Sequence, residues 1–115
     1  IRKWQQEDYE RAMADTYGGK TPQETLLMYI EAVEKGDYEL ASRYFIGSKR
    51  EEELRSSRKM SEVEIKEYII ILKNAISKLD DNGKYDIEKK YFSLYKPILI
   101  REKLYPNGIW KIIEI

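Results

Sequence analysis

The chain has 115 residues, which is enough for one domain with its own hydrophobic core. Its 21 basic and 21 acidic side chains give a formal net charge of zero. The two signs are interspersed along the chain, which argues against a nucleic-acid partner held by phosphate contacts. The chain lacks Cys and His, which excludes disulfides, thiolate zinc sites and the Ser-His-Asp and Cys-His types of catalysis. We therefore expect no cofactor and no metal.

Residues 1–20 are predicted to form an N-terminal helix followed by a linker. Tyr9, Ala12 and Met13 share one stripe, which permits a weakly amphipathic helix, and the glycine pair that begins at Gly18 predicts a flexible joint. One interpretation is a juxtamembrane helix with Arg2, Lys3 and Trp4 near lipid headgroups. The other is a polar segment that docks loosely on the domain or frays. Because the chain begins with Ile, we expect it to be a fragment or a processed form.

Residues 21–45 are predicted to form two helices separated by a single glycine. Thr21 is the expected N-cap, Pro22 occupies the first helical position, and Glu24 is placed for a capping box. Gly36 is expected to end this helix in a left-handed conformation, and Asp37 to cap the next. The pattern predicts a long amphipathic helix followed by a short one.

Two further helices are expected before the sheet. Ser48 and Ser61 each begin a capping-box pattern, which predicts a solvated helix over residues 49–59 and the longest helix over residues 62–79. The second helix has isoleucines and leucines at alternating steps of three and four, the spacing of one buried face. Gly83 is expected to provide its C-cap.

From residue 84 the hydrophobic period changes to two, which predicts three long antiparallel strands. Phe92 and Leu94 are expected on one face, opposite Tyr91 and Tyr95. The last strand, over residues 109–115, is apolar on both sides and should therefore be central, with helices on one face and a further element, such as a second subunit, on the other.

Residues 21–45 and 107–112 resemble the opening and the final hairpin of NTF2-like domains, particularly the small DUF4878-type domains of bacterial envelope proteins. The resemblance implies an α+β fold over residues 21–115, with N-terminal helices packed on a curved antiparallel sheet (a cystatin-like cone). No early strand is visible between the helices, so we expect an abbreviated sheet. The resemblance also implies a membrane span upstream of the chain, an extracytoplasmic domain (a cytoplasmic one is the alternative) and a homodimer paired through the sheet.

Ten tyrosines and two tryptophans are the compositional feature with the greatest functional interest. If they face the space between helices and sheet, some would line an apolar pocket with hydroxyl groups for a ligand. The alternative is that they fill the core. The candidate pocket residues are Tyr29, Tyr44, Tyr91 and Trp110.

No catalytic constellation is recognisable, so we expect a non-catalytic binding or scaffolding domain. The main alternative is a cone that binds a small molecule or acts as an isomerase or dehydratase. Asp37, Asp86 and Glu88 are candidate acids for that chemistry, but their positions at caps and strand starts predict solvent exposure. A helical adaptor resembling tetratricopeptide repeats is a third interpretation. The sequence around Asp80 and Asp81 lacks the spacing of a calcium loop.

Overall fold

The computed structural model describes residues 6–115 and confirms the α+β class. Five helices precede a four-stranded antiparallel sheet with the order β1-β2-β3-β4, so the chain is not a wholly helical adaptor. The helices are α1 (Gln6–Ala14), α2 (Pro22–Glu34), α3 (Tyr38–Arg43), α4 (Arg50–Lys59) and α5 (Glu62–Asn82), and the strands are β1 (Lys84–Tyr85), β2 (Tyr91–Leu94), β3 (Ile100–Leu104) and β4 (Trp110–Glu114). Among the described residues, no helix is long and apolar enough to span a membrane. The headgroup contacts predicted for Arg2, Lys3 and Trp4 lie outside the described residues.

The predicted N-caps of α2 and α3 are confirmed, but the capping box expected at Glu24 is not formed, because its carboxylate accepts from the Lys20 N–H at 2.7 Å and not from Thr21. The Thr21 hydroxyl accepts a hydrogen bond from the Glu24 N–H at 3.1 Å, and Asp37 Oδ1 accepts one from the Leu40 N–H at 3.1 Å. Gly36, between the two helices, has a φ of 74°, a conformation that costs glycine little because it has no Cβ. These local signals fix where α2 ends and α3 begins.

The remaining helix signals were partly right. Ser61 forms the predicted capping box of α5, with hydrogen bonds of 3.1 and 2.9 Å to and from Glu64. The prediction for Ser48 was wrong, because a 3-10 turn (Gly47–Lys49) precedes α4 and no side chain caps that helix. Helix α5 extends to Asn82, beyond the predicted end at residue 79. Gly83 is the C-cap of α5, as predicted, and a Cβ there would collide with the Phe92 ring.

The sheet has four short strands and not the three long ones predicted. The predicted alternation along β2 is confirmed, with Phe92 and Leu94 buried and Tyr91 exposed. On the inner face, Glu102 of β3 lies between Phe92 of β2 and Ile112 of β4 in the strand register. A register shift between Arg101 and Glu102 marks a bulge, a feature that bends a strand locally.

The prediction that the last strand is central in the sheet was wrong, because β4 is the terminal strand of the order β1-β2-β3-β4. One edge pairs with β3. On the other edge, the Ile46 N–H donates to the Ile112 carbonyl and the Ile112 N–H donates to the Tyr44 carbonyl, both at 2.9 Å, while the Trp110 N–H donates to the Gly19 carbonyl at 2.9 Å. The segments that precede α2 and follow α3 therefore satisfy the backbone groups that an edge strand would leave open.

The N-terminal segment covers the outer face of β4, the side opposite the helices of the core. The Asn107 side-chain amide donates to the Asp15 carbonyl at 2.6 Å, and the Lys111 ammonium contacts both Asp15 and Tyr17. The expected flexible joint at Gly18 is instead a close contact, since a Cβ there would collide with the carbonyl of Trp110. The further element predicted over this face is therefore the N-terminal segment of the same chain.

The core lies between the inner face of the sheet and helices α2, α3 and α5. It consists of aliphatic side chains and a few aromatic rings, which recur at helical and strand spacing in the sequence. The buried residues of this cluster are Leu26, Tyr29, Ile30, Ala32, Val33, Ala41, Phe45, Leu72, Ala75, Leu79, Phe92, Leu94, Ile100, Trp110 and Ile112.

Candidate functional site

The four aromatic residues proposed as pocket candidates do not come together at one site. Tyr29 is 0% exposed and Trp110 is 5% exposed, and both belong to the core. Tyr44 is half-buried at the end of α3. Tyr91 is 45% exposed and points away from the core. The alternation along β2 separates Tyr91 from the other three.

The hydroxyl of Tyr29 belongs to a partly buried hydrogen-bond network. It donates to Glu53 Oε1 at 2.5 Å and lies 2.9 Å from the Tyr68 hydroxyl. Burial raises the pKa of Glu53 above its ordinary value, while hydrogen bonds from Tyr29 and Ser57 lower it. Burial likewise raises the pKa values of Tyr29 and Tyr68. Glu53 and Tyr68 line a cleft of about 340 Å³ beside Met60.

Glu102 is a second buried carboxyl group, and it is fully enclosed on the inner face of β3. It is 0% exposed, and neither carboxyl oxygen has a hydrogen-bond partner. Burial raises the pKa of Glu102 well above its usual range, because a charged carboxylate is poorly solvated there. Glu102 lines neither this cleft nor a larger groove on the outer face of the sheet.

The larger concavity is a groove of about 750 Å³ on the outer face of the sheet. Helix α1 forms one wall, the end of α3 and the 3-10 turn before α4 form another, and β3 contributes to the rest. We call it the basic groove, since four cationic side chains and two carboxylates line it, an excess of two positive charges. Its lining residues are Asp8, Arg11, Ala12, Ala14, Asp15, Tyr17, Arg43, Ile46, Gly47, Ser48, Arg50, Lys103 and Tyr105.

Lys111 lies beneath this groove and is 0% exposed. Its ammonium group donates to Asp15 Oδ1 at 3.0 Å, to the Tyr17 carbonyl at 2.8 Å and to the Arg43 carbonyl. All three donors of a lysine are therefore satisfied. Burial lowers the pKa of Lys111, the Asp15 carboxylate raises it, and the nearby Arg50 lowers it further.

Arg50 begins α4 at the rim of the basic groove. Its Nε is buried and has no hydrogen-bond partner, although a buried donor left unpaired costs free energy. Two groups beside Arg50 are already engaged: the Gly47 N–H hydrogen bonds to the Tyr105 hydroxyl, and the Tyr105 ring lies under the Lys111 ammonium at 5.8 Å. The site therefore has an ordered floor and a cation with an unused donor.

The three acids considered for catalysis have exposed positions. Asp37 caps α3. Asp86 Oδ1 accepts hydrogen bonds from the backbone N–H groups of Lys90 and Tyr91. The Glu88 carboxylate lies 3.5 Å from the Lys90 ammonium. Among the side chains that the structure describes, there is no cluster of three or more acidic groups suited to a metal ion. The buried acids Glu53 and Glu102 were not foreseen.

The comparisons with known proteins give no further guide to this site. No protein-family model, curated protein or solved structure matches the chain.

Proposed function

We propose that this chain is a non-catalytic binding domain of the NTF2-like type and that the basic groove is its binding site. The observation that carries this proposal is a concavity of about 750 Å³ with an excess of positive charge, on a chain whose formal net charge is zero. Sites for small ligands have volumes of roughly 300–1,000 Å³. Its floor is fixed by the Lys111 and Tyr105 contacts, so the groove is ordered before a ligand arrives.

The experiment is a two-dimensional NMR screen of the domain with uncharged, water-soluble fragments. Binding at the groove shifts the amide signals of Gly47, Ser48 and Tyr105. The variant Gly47→Phe should abolish these shifts, because the space beside Gly47 is open and lies on the groove wall. Gly47→Ala is the matched control and leaves most of that space. Fragment binding that maps elsewhere, or that survives Gly47→Phe, would refute the proposal.

We further propose that the domain forms the extracytoplasmic part of a membrane-anchored protein. The support is the resemblance of residues 21–45 and 107–112 to small envelope domains. Homodimerisation through the sheet is part of this proposal, supported by exposed apolar side chains at Ile87, Tyr91 and Tyr95 beside the two-residue edge strand β1. Light scattering of the purified domain, with Tyr91→Lys as the test variant, would show whether such a dimer exists.

A second candidate function is a small-molecule-binding or isomerase-like cone. The observation in its favour is Glu53, an acid with a raised pKa beside Tyr68 at the smaller cleft. Ligands of this cleft would shift the signals of Glu53, Met60 and Tyr68 and leave those of the basic groove unchanged. The same NMR screen therefore separates the two functions.

A further inference from the structure

We infer that the basic groove binds a small organic molecule through a phosphate or carboxylate group that Arg50 receives. This inference rests on the proposed function and adds the chemical class of the ligand.

Within the described part of the chain, the charges around the groove leave Arg50 without a counter-ion. Asp15 lies 2.9 Å from the Lys111 ammonium, and Asp8 lies 3.7 Å from Arg11. These are the two carboxylates of the lining, so both are already beside cations. Among the described residues, Arg50 forms no ion pair.

The position of Arg50 increases the attraction for an anion. Arg50 is close enough to Lys111 for the two positive charges to repel each other, and a single carboxylate, Asp15, compensates Lys111. The Nε of Arg50 is buried and unpaired. A planar guanidinium presents paired donors that match the oxygens of a phosphate or carboxylate. An anion at this point would satisfy the unpaired donor and reduce the repulsion.

The rest of the lining indicates an organic ligand and not an inorganic ion. Tyr17, Tyr105, Ala12 and Ile46 contribute ring and aliphatic surface to the groove. The Tyr17 ring is fixed by Arg43, whose guanidinium lies 5.2 Å from the ring centroid. A ligand with an anionic end and an apolar body uses both parts of this surface.

A small ligand also suits the distribution of charge better than a polyanion. A nucleic acid needs an extended row of cations, whereas here the cations surround one concavity and the chain has no net charge. The carboxylates of Asp8 and Asp15 at the α1 wall would repel a long anionic chain.

The test is a calorimetric titration of the domain with inorganic pyrophosphate and, separately, with citrate, at constant ionic strength. The two probes distinguish phosphate from carboxylate recognition. The inference predicts saturable binding of at least one of them, weakened about tenfold or more by Arg50→Gln, because an anion loses a charge-assisted contact. Arg55→Gln on the same helix is the matched control, since Arg55 is exposed and lies outside both clefts.

Arg43→Gln removes a second lining cation and replaces Arg50→Gln as the test only if Arg50→Gln unfolds; a folded Arg50→Gln that binds as tightly as the unmodified domain overturns the inference. Absence of saturable binding, or equal weakening by Arg50→Gln and Arg55→Gln, overturns it. If uncharged fragments occupy the groove in the NMR screen while neither anion binds, the anion inference fails and the proposed function stands. If nothing occupies the groove in either experiment, both fail.

Discussion

The Lys111 ammonium lies 2.9 Å from Asp15 Oδ2, and this ion pair joins the N-terminal segment to strand β4. The lysine is fully buried, while the aspartate side chain is 20% exposed. The two residues are 96 positions apart in the sequence. It connects the floor of the basic groove to the wall that α1 provides, so the stability of this pair and the shape of the groove are coupled.

Asp15→Asn should destabilise the domain by about 3 kcal/mol, because removing one partner leaves the buried ammonium without a compensating charge. Urea unfolding measures the change in free energy. Glu34→Gln is the control: it breaks the exposed pair between Glu34 and Lys73 at 2.8 Å, which we expect to contribute no more than about 1 kcal/mol. Equal effects of the two variants would show that Lys111 does not depend on Asp15.

Gly18→Ala should destabilise the domain by about 1–3 kcal/mol, the usual cost of forcing extra volume into a packed site. The added methyl would collide with the Trp110 carbonyl and with the Ile109 side chain. Gly47→Ala should have little effect, because the space around Gly47 is open. Thermal unfolding of both variants is sufficient, and an unaffected Gly18→Ala would mean that the N-terminal segment is not docked as described.

Tyr29→Phe should cost about 1–2 kcal/mol, because it removes the hydroxyl that donates to Glu53 and lies beside Tyr68. Tyr44→Phe is the matched control, since the Tyr44 hydroxyl makes no hydrogen bond within the described part of the chain. Guanidinium unfolding compares the two. A loss no larger for Tyr29→Phe than for Tyr44→Phe would argue against this network.

Glu102→Met should stabilise the domain by about 1–3 kcal/mol near neutral pH, because it replaces an unpartnered buried carboxyl with an apolar group of similar size. The pKa of Glu102 is higher in the folded than in the unfolded chain. Proton binding by Glu102 therefore favours the folded state. The stability that it contributes is fully present below the pKa of the unfolded chain and is lost as the pH rises through the higher pKa of the folded chain. Urea unfolding between pH 4 and pH 8 should show the advantage of Glu102→Met growing with pH. An advantage that is constant or decreases would contradict this.

Local signals in the sequence predicted most of the helical layer. Thr21, Asp37 and Ser61 are caps whose hydrogen bonds are made within three residues, so short-range chemistry decides them. The capping box predicted at Ser48 does not form, because the backbone before α4 adopts a 3-10 turn. The Ile46 N–H that precedes this turn donates to the Ile112 carbonyl of β4, and the local sequence pattern contains no sign of that tertiary hydrogen bond.

The site was less predictable because its residues come from distant parts of the chain. Arg43, Arg50 and Lys103 have ordinary surface sequence contexts, and only the docking of α1 makes a groove from them. A signal did exist for two buried charges. Lys111 interrupts a strand that is otherwise apolar on both faces. Glu102 is two residues after Ile100, so the alternation of the strand places both side chains on the inner face of the sheet. A charge at such a position must be paired or protonated, and this rule could have identified both.

Native mass spectrometry of the purified domain, beside Gly47→Phe, tests the central claim most directly. If the basic groove is a binding site, the unmodified domain should carry an additional mass that disappears on denaturation, and Gly47→Phe should lack that mass under the same conditions. A bare unmodified domain, or an additional mass that Gly47→Phe retains, would contradict the assignment of function to this groove.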